Sequence, residues 1–399
     1  MNAPQAFDLA VIGAGSAGLP AAICAARRGA RVLLVEAMDD IGGTLHLSHG
    51  QLSGGGTRLQ AAAGIADSPD AHFEEVMRLS EGLADPAVVR RAVDEAPGTI
   101  DWLLDLGLEP LPGHPVQGAM PGREGYRVPR YLWARGQGRA VLALLRAGLA
   151  PLLAPEPPRD AAPDAVPGPA AGPAPGTVRL WSGTRVTALL QDAAGRVTGL
   201  RAAGPDGAER RATARHTLLA TGGYTMDPAR FAALAGAPPY AALSWPGARG
   251  DGLELAAAAG AALRGHALHR PGTGSILSSD RWPASVLARF TTAPQSREPW
   301  EIWVNDAGRR FVREDEPSAL ARERALLAQP GFRFQVVSDA AVLDAAPPGI
   351  EGWTRADIDA RCDAGHPMFH RADSWDALAA SARIDAAGLE ASVRGYNAA

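Results

Sequence analysis

The stretch Asp8-Leu9-Ala10-Val11-Ile12-Gly13-Ala14-Gly15-Ser16-Ala17-Gly18 decides how this chain folds. Asp8 to Ile12 is a short apolar run ending in glycine, the pattern of a parallel strand buried on both faces. Residues 19–28 are alanine-rich and helix-favouring, Gly29 stops them, and residues 31–35 read as the next strand. The glycines therefore stand between a strand and a helix, the setting in which G-x-G-x-x-G has chemical meaning. Gly13 allows the tight turn, Gly15 lets backbone approach a pyrophosphate, and Gly18 lets helix and strand pack closely. Ser16 and Ala17 open the helix, whose N-terminus then faces phosphate charge. Glu36 ends the second strand about twenty residues later, where a carboxylate accepts from ribose hydroxyls. The crossover between the two strands is expected to be right-handed.

Further glycines extend the reading. Gly42-Gly43-Thr44 follows Glu36, then Ser53-Gly54-Gly55-Gly56, and Thr221-Gly222-Gly223 closes a later apolar run at 217–220. Glycine-rich backbone passes close to a large cofactor and offers it N–H groups. An NAD domain does not need these extra segments, so they favour FAD. Helical patterns are expected at 71–81, 86–95, 99–106, 138–147 and 252–261, and strands at 178–181, 184–191 and 197–202. Residues 151–176 are dominated by proline and alanine, a composition that builds no packed core, and read as a disordered surface insertion. From about Leu263 the chain turns irregular and rich in tryptophan, arginine and proline. A hairpin of 301–304 with 310–312, a helix at 320–328 and a strand at 334–338 are expected there.

A length of 399 residues suggests two or three domains, and 46% apolar residues supply ample core. The net charge of −4 gives no basic surplus that would favour nucleic acid or an anionic membrane. Cys24 and Cys362 form no metal spacing; no Cys-x-x-Cys-His or iron–sulfur array is present, so any electron partner would be a separate protein or a diffusible acceptor. The N-terminus lacks a basic n-region, and the apolar stretch 9–26 is broken by Gly13, Gly15, Gly18 and Pro20. No membrane span is expected, and a cytoplasmic protein is the default.

These residues resemble the flavoprotein subunits of fumarate reductase and succinate dehydrogenase, a group that includes ketosteroid and tricarballylate dehydrogenases. The likeness is carried by residues 11–36, 42–56 and 220–223, by Gly250-Asp251-Gly252, and by Asn305-x-x-Gly308-x-Arg310-Phe311-Val312-x-Glu314. The resemblance implies FAD as cofactor, contacted by Gly13, Gly15, Ser16, Ala17, Gly18, Glu36, Gly43, Thr44, Ser53, Gly54, Gly55, Val186, Thr221, Gly222, Gly223 and Asp251. It implies hydride exchange between flavin N5 and a CH–CH bond next to a carboxylate or carbonyl of a small-molecule substrate. It places a proton-donating arginine where Ser318 stands here, a departure that turns attention to Arg322 and Arg324. Arg297 matches an arginine of the family's proton path, but Pro294 replaces its acidic partner. His269 is an approximate counterpart of a substrate-binding histidine, with His266 equally near. Ser48-His49 matches a pair that carries covalent FAD in membrane-bound members; the surroundings differ, so non-covalent FAD is expected. The segment from Tyr126 to Tyr131 is read either as a pocket lining or as a structural loop.

The expected fold is α/β: a Rossmann-type FAD-binding domain over 1–262 with an inserted α+β capping domain over 263–399, C-terminally truncated relative to the family. The family continues past a helix like 377–396 with a further strand and a Gly-Leu-Tyr-Ala-Ala-Gly-Glu-like segment. An FAD-dependent oxidoreductase acting on CH–CH groups is the leading expectation. The alternatives are a ketosteroid-type dehydrogenase and a non-catalytic flavin-binding fragment or subunit.

Overall fold

In the computed structural model, which describes residues 5–119, 125–155, 175–265, 272–346 and 349–398, strand β1 (Gln5–Ile12) leads into helix α1 (Gly18–Arg27) and strand β2 (Val32–Val35). Val32, Leu33, Leu34 and Val35 are at most 1% exposed. Leu19, Ala22 and Ile23 of α1 cover one face of the sheet, and Leu255 joins Leu33 and Val35 on the other. Two covered faces explain the unbroken apolar runs. Strand β3 (Gln51–Ser53) follows, then helices α2 (Arg58–Ala62), α3 (Pro69–Leu79) and α4 (Pro86–Asp105). Strand β4 (Tyr131–Trp133) pairs antiparallel with β3 and precedes α5 (Gln137–Leu149).

The main sheet has six strands in the order β5 (Val178–Trp181), β2, β1, then β8 (Glu209–Leu219), β7 (Val197–Ala203) and β6 (Arg185–Gln191). The β5, β2, β1 and β8 strands run parallel, with Val11 opposite both Leu34 and Leu218; β8, β7 and β6 run antiparallel. The C-terminal ends of β1, β2 and β8 thus lie side by side, the edge where open α/β sheets bind ligands.

The chain divides into two compact units. One takes the chain up to Gly118, Tyr126–Asp227 and Ser244–Arg264; the other takes Pro228–Leu243 and the chain from Gly265 on. Helix α6 (Pro228–Ala235) belongs to the second unit and α7 (Asp251–Ala258) to the first. The second unit continues with β9 (Ser275–Leu277) paired to β10 (Val286–Arg289), and β11 (Ile302–Val304), α8 (Ala319–Leu327) and β12 (Gln335–Val337). Helices α9 (Ala340–Ala345), α10 (Arg355–Asp363), α11 (Trp375–Ala382) and α12 (Ala386–Asn397) complete it. Ile302, Val304, Ala379, Ile384 and Leu389 form its own apolar cluster.

Three expectations change. Residues 86–95 and 99–106 are one helix with Pro97 inside it. Interior proline costs about 3 kcal/mol, but Val89, Val93, Ile100 and Leu103 bury one continuous stripe across it, and packing prevails. The strand read as 217–220 is the 11-residue β8. Its first half is charged and alanine-rich, yet Ala212 and Ala214 are buried opposite Leu200 and beside β1. The hairpin of 301–304 with 310–312 does not form as a two-stranded ribbon. β11 pairs instead with β12, Ile302 opposite Val337, and meets the returning chain only at a bridge between Val304 and Arg310. The Glu314 carboxylate accepts the Trp303 N–H at 2.8 Å, taking the donor that a longer ladder would use. Most of the proline- and alanine-rich insertion, 156–174, lies outside the described residues.

Candidate functional site

The turn after β1 is shaped by glycines that no other residue could replace. Gly13 has φ +101°, and a Cβ there would press into the Ala220 carbonyl at the end of β8. A Cβ on Gly18 would collide with the Gly13 carbonyl oxygen. Strand, turn and helix are therefore packed backbone to backbone. Ala17 occupies the N-cap of α1, no side chain caps the helix, and its first turn holds no acidic residue. With no acidic side chain at that end, the helix dipole favours an anion there. Ser16 and Ala17 are exposed at that end.

Glu36, 8% exposed at the end of β2, accepts the Ala14 N–H at 2.8 Å with one oxygen and the Met38 N–H at 2.9 Å with the other. It ties the glycine turn to the second strand, a role the sequence did not reveal. Each oxygen keeps a second lone pair for a ribose hydroxyl. The Gly42 N–H donates to Ala14 O at 2.8 Å, and Gly43 lies so close that a Cβ there would stand 3.4 Å from Gly15 Cα. Thr44 is exposed beside it. On the far side of the turn, the Ala220 N–H donates to Ile12 O and the Gly250 N–H to Gly223 O, at 2.8 and 3.0 Å. A side chain at Gly252 would run into the Thr221 hydroxyl. Asp251 forms an ion pair with Arg185, next to Val186, whose side chain is buried in the sheet core. Gly13, Gly15, Glu36, Gly43, Thr221 and Asp251 thus converge on one edge of the sheet.

Ser53, Gly54 and Gly55 lie at the end of β3 and lead into α2. The Gly54 N–H donates to Arg130 O at 3.2 Å, while Thr57 and Gln60 form a capping box at the α2 N-terminus. The segment from Tyr126 to Tyr131 proves to hold a buried ion cluster centred on Arg130. His46 stacks on Trp245 with ring centroids 4.7 Å apart, and His49 lies parallel to Trp133 at 6.2 Å.

In the second unit, Ser318 is the N-cap of α8, its hydroxyl accepting the Ala321 N–H at 3.2 Å. Serine suits that place because the cap needs a short acceptor, which arginine lacks. Arg322 lies one turn on, 5% exposed, with its guanidinium donating to the Glu316 carbonyl. Burial pushes its pKa below the ordinary arginine value, against the pull of Glu316 and Glu323. Arg324 is on the exposed side of the same helix. Arg297 finds an acid at Glu301, 2.6 Å away, rather than at position 294. It also donates to Glu298 O at 2.7 Å and lies over the Phe290 ring. Gln295 donates to Pro317 O at 3.0 Å, so the segments carrying Arg297 and Arg322 meet at 316–318. His269 lies outside the described residues, as does His266. Among the described residues, no group of three or more His, Cys, Asp or Glu is placed to hold a metal ion, and no helix is long and apolar enough to cross a membrane.

A helix N-terminus without a side-chain cap, a glycine turn, a carboxylate on the neighbouring strand and two further backbone segments make a dinucleotide-binding α/β sheet. Residues 8–399 match the family described as FAD binding domain, and the chain belongs to that family; its cofactor is FAD. The chain is 29% identical over 341 residues to the fumarate reductase (cytochrome) of Shewanella frigidimarina, covering 84% of this chain and 52% of that protein. It is 26% identical over 410 residues to the vinyl phenol reductase of Lactiplantibacillus plantarum, covering 98% of this chain and 76% of the other. The 3-ketosteroid delta1-dehydrogenase of Sterolibacterium denitrificans shares its fold, with TM-score 0.64 and 20% identity over 98% of this chain and 78% of that one. The chain thus spans about half the length of the fumarate reductase it matches. The residues present fit FAD: the glycine turn leaves backbone open to close approach, and the Glu36 oxygens, each accepting one backbone N–H, keep a lone pair for a hydroxyl.

Proposed function

We propose that this chain is the flavin-bearing part of an oxidoreductase that transfers hydride between flavin N5 and a CH–CH bond activated by a carboxylate or ketone. The observation that carries the reading is the family match over residues 8–399, together with the activities of two relatives, fumarate reductase and vinyl phenol reductase. Bound FAD supplies the hydride exchange. In the reductive direction, hydride goes to one alkene carbon and a proton to its neighbour; the oxidative direction removes both.

The protein's own part is to hold FAD and to manage that proton. Gly15, Ser16, Ala17 and Gly18 would bind the pyrophosphate with N–H groups beside the turn made by Gly13, whose own N–H goes to Val35 O at 2.7 Å, and Glu36 would bind the ribose. Gly43, Thr44, Val186, Thr221, Gly222, Gly223 and Asp251 would flank the nucleotide, and Ser53, Gly54 and Gly55 the flavin ring. Residues 1–262 would form the FAD-binding domain and 263–399 the capping domain; the change of compact unit between Arg264 and Gly265 supports a boundary there, while Pro228–Leu243 groups with the second unit. In the second unit, Arg322 is the best placed to hold and release a proton at its guanidinium. It is buried, it donates to the Glu316 carbonyl, and burial weakens its hold on the proton. Arg297, paired with Glu301 at 2.6 Å, suits anchoring a substrate carboxylate; Arg324 and His269 remain secondary candidates. A ketone-polarising tyrosine is less well supported: in the second unit Tyr240 donates to Gly331 O and Tyr396 lies beneath Arg310.

The test is to load the full chain with FAD, reduce it without oxygen, and mix it with fumarate, an aryl-substituted alkene and a cyclic enone. Reoxidation by at least one acceptor supports the reading, and inertness to all three in both directions overturns it. Arg322→Met is expected to slow reoxidation by about a hundredfold without loss of FAD, with a smaller slowing from Arg324→Ala.

A further inference from the structure

Arg130 is 1% exposed and makes three charge-assisted hydrogen bonds. Its Nε and Nη2 form a fork on Asp67, at 2.8 and 2.6 Å, and Nη1 reaches Glu75 at 2.6 Å. The Asp67 carboxylate also accepts from Gln60 Nε2 at 2.7 Å. Gln60 in turn accepts the N–H groups of Gly56 and Thr57, at 2.8 and 3.1 Å, and donates to Pro129 O at 2.9 Å. The carbonyl of Arg130 itself takes the Gly54 N–H. Gly55 is wedged against this cluster: a Cβ there would stand 2.6 Å from Ser68 O and 3.0 Å from Asp67 Oδ2. The Tyr126 ring lies under the guanidinium, and its hydroxyl is 3.4 Å from Ser53 Oγ.

Arg130 and Gln60 thus bond the segment 53–57 directly, and Asp67 ties the two of them together. We infer that Arg130 is a positioning residue for FAD. Through Asp67 and Gln60, and through its own carbonyl, it fixes the glycine segment that meets the flavin and thereby sets FAD affinity and the flavin's electronic environment. A segment with consecutive glycines has no side chains of its own to fix its path, so its shape must be imposed from outside. A buried guanidinium forked on a carboxylate imposes it with geometric specificity, because neither side can shift without leaving a buried charge exposed to apolar surroundings. The inference rests on the proposed placement of residues 53–55 against the flavin.

The experiment compares Arg130→Met, Arg130→Lys, Gln60→Met and Gly55→Ala in the full chain. FAD affinity is read by fluorescence titration, with the visible flavin spectrum, the flavin reduction potential and the melting temperature of the folded fraction. Arg130→Met is expected to weaken FAD binding by about tenfold or more and to shift both spectrum and potential. Arg130→Lys should recover part of the loss, since charge returns without the fork. Gln60→Met keeps the ion pairs and should act in the same direction more weakly, which covers the case in which Arg130→Met does not fold. A lowered melting temperature with unchanged affinity, spectrum and potential in both the Arg130 and Gln60 variants overturns the inference. If Gly55→Ala alone moves the flavin readouts, the segment meets the flavin but Arg130 does not position it. If Gly55→Ala also leaves them unmoved, the placement of residues 53–55 falls, and the inference with it.

Discussion

The Arg130 cluster of the first unit joins distant residues and is closed to solvent, whereas two ion pairs of the second, Arg297–Glu301 and Arg310–Glu314, join near neighbours and stay partly open. Arg130 reaches Asp67 and Glu75, 63 and 55 residues away, with side-chain exposures of 0% for Arg130 and Asp67. Arg297 with Glu301 and Arg310 with Glu314 are four residues apart, and the arginine side chains are 18% and 32% exposed. The first arrangement organises other segments of the chain. The second stiffens the segment that carries it and leaves part of the guanidinium within reach of solvent, a better disposition for residues that must engage a substrate.

The sharpest way to break this comparison is to attack the glycine turn, where backbone packing rather than charge sets the geometry. Gly18→Val puts a side chain into the Gly13 carbonyl and Val11. It is expected to lower FAD affinity by at least about a hundredfold, since lost N–H contacts to phosphate are charge-assisted. Fluorescence titration reads it, and near-normal affinity would mean the turn is not the phosphate site.

Asp67→Ala comes next. It removes the forked partner of the buried Arg130, leaving Glu75 as its remaining carboxylate, and should cost about 3 kcal/mol of stability by urea denaturation. A loss under about 1 kcal/mol would erase the contrast between the two units.

The third expectation concerns acid. His72, 3% exposed beside the cluster, has its pKa lowered to about 4 by burial, aided by the Arg130 charge. The unfolded ring titrates near 6.5, so below that pH the unfolded chain takes up a proton that the folded chain refuses. Stability from this group is fully present above about pH 6.5 and is lost as pH falls toward about 4, by roughly 2–3 kcal/mol in all. For Asp67, burial opposes ionisation, but hydrogen bonds from Arg130, Gln60 and the Ser68 N–H hold its pKa below 3.8. Its contribution is therefore present above that value and lost at still lower pH. Denaturation at pH 5 and pH 7 should show the slope in the native chain and a flatter one in His72→Phe. An equal slope in both would remove His72 from the account.

The smallest effect is expected from Arg310→Ala. Glu314 keeps the Trp303 N–H as a donor, and the pair is partly open, so about 1 kcal/mol is the expected loss. A loss as large as that of Asp67→Ala would show that proximity in sequence does not make a pair expendable.

What could be read before the structure was whatever depends on neighbours in sequence. The glycine turn, Glu36 and the strand–helix–strand unit lie within one short stretch, and their spacing alone states the geometry. The Arg130 cluster could not be read, because its carboxylates lie far away in sequence, Asp67 in the loop between α2 and α3 and Glu75 on α3, and nothing local marks them as partners. The first half of β8 was hidden for a related reason: its charged residues and alanines are strand only because β7 and β1 flank them. Arg297's acid was sought at position 294 and stands at Glu301, one helical turn downstream in number though not in a helix. Ser318 was legible as a missing arginine but not as the cap that starts α8.

Glu36 has one further consequence. By accepting both the Ala14 and the Met38 N–H groups, it stabilises the turn with protein atoms alone. The shape that receives the nucleotide is then preorganised. Less ordering entropy is lost when FAD docks, and the cradle survives between successive cofactors instead of being moulded afresh by each one.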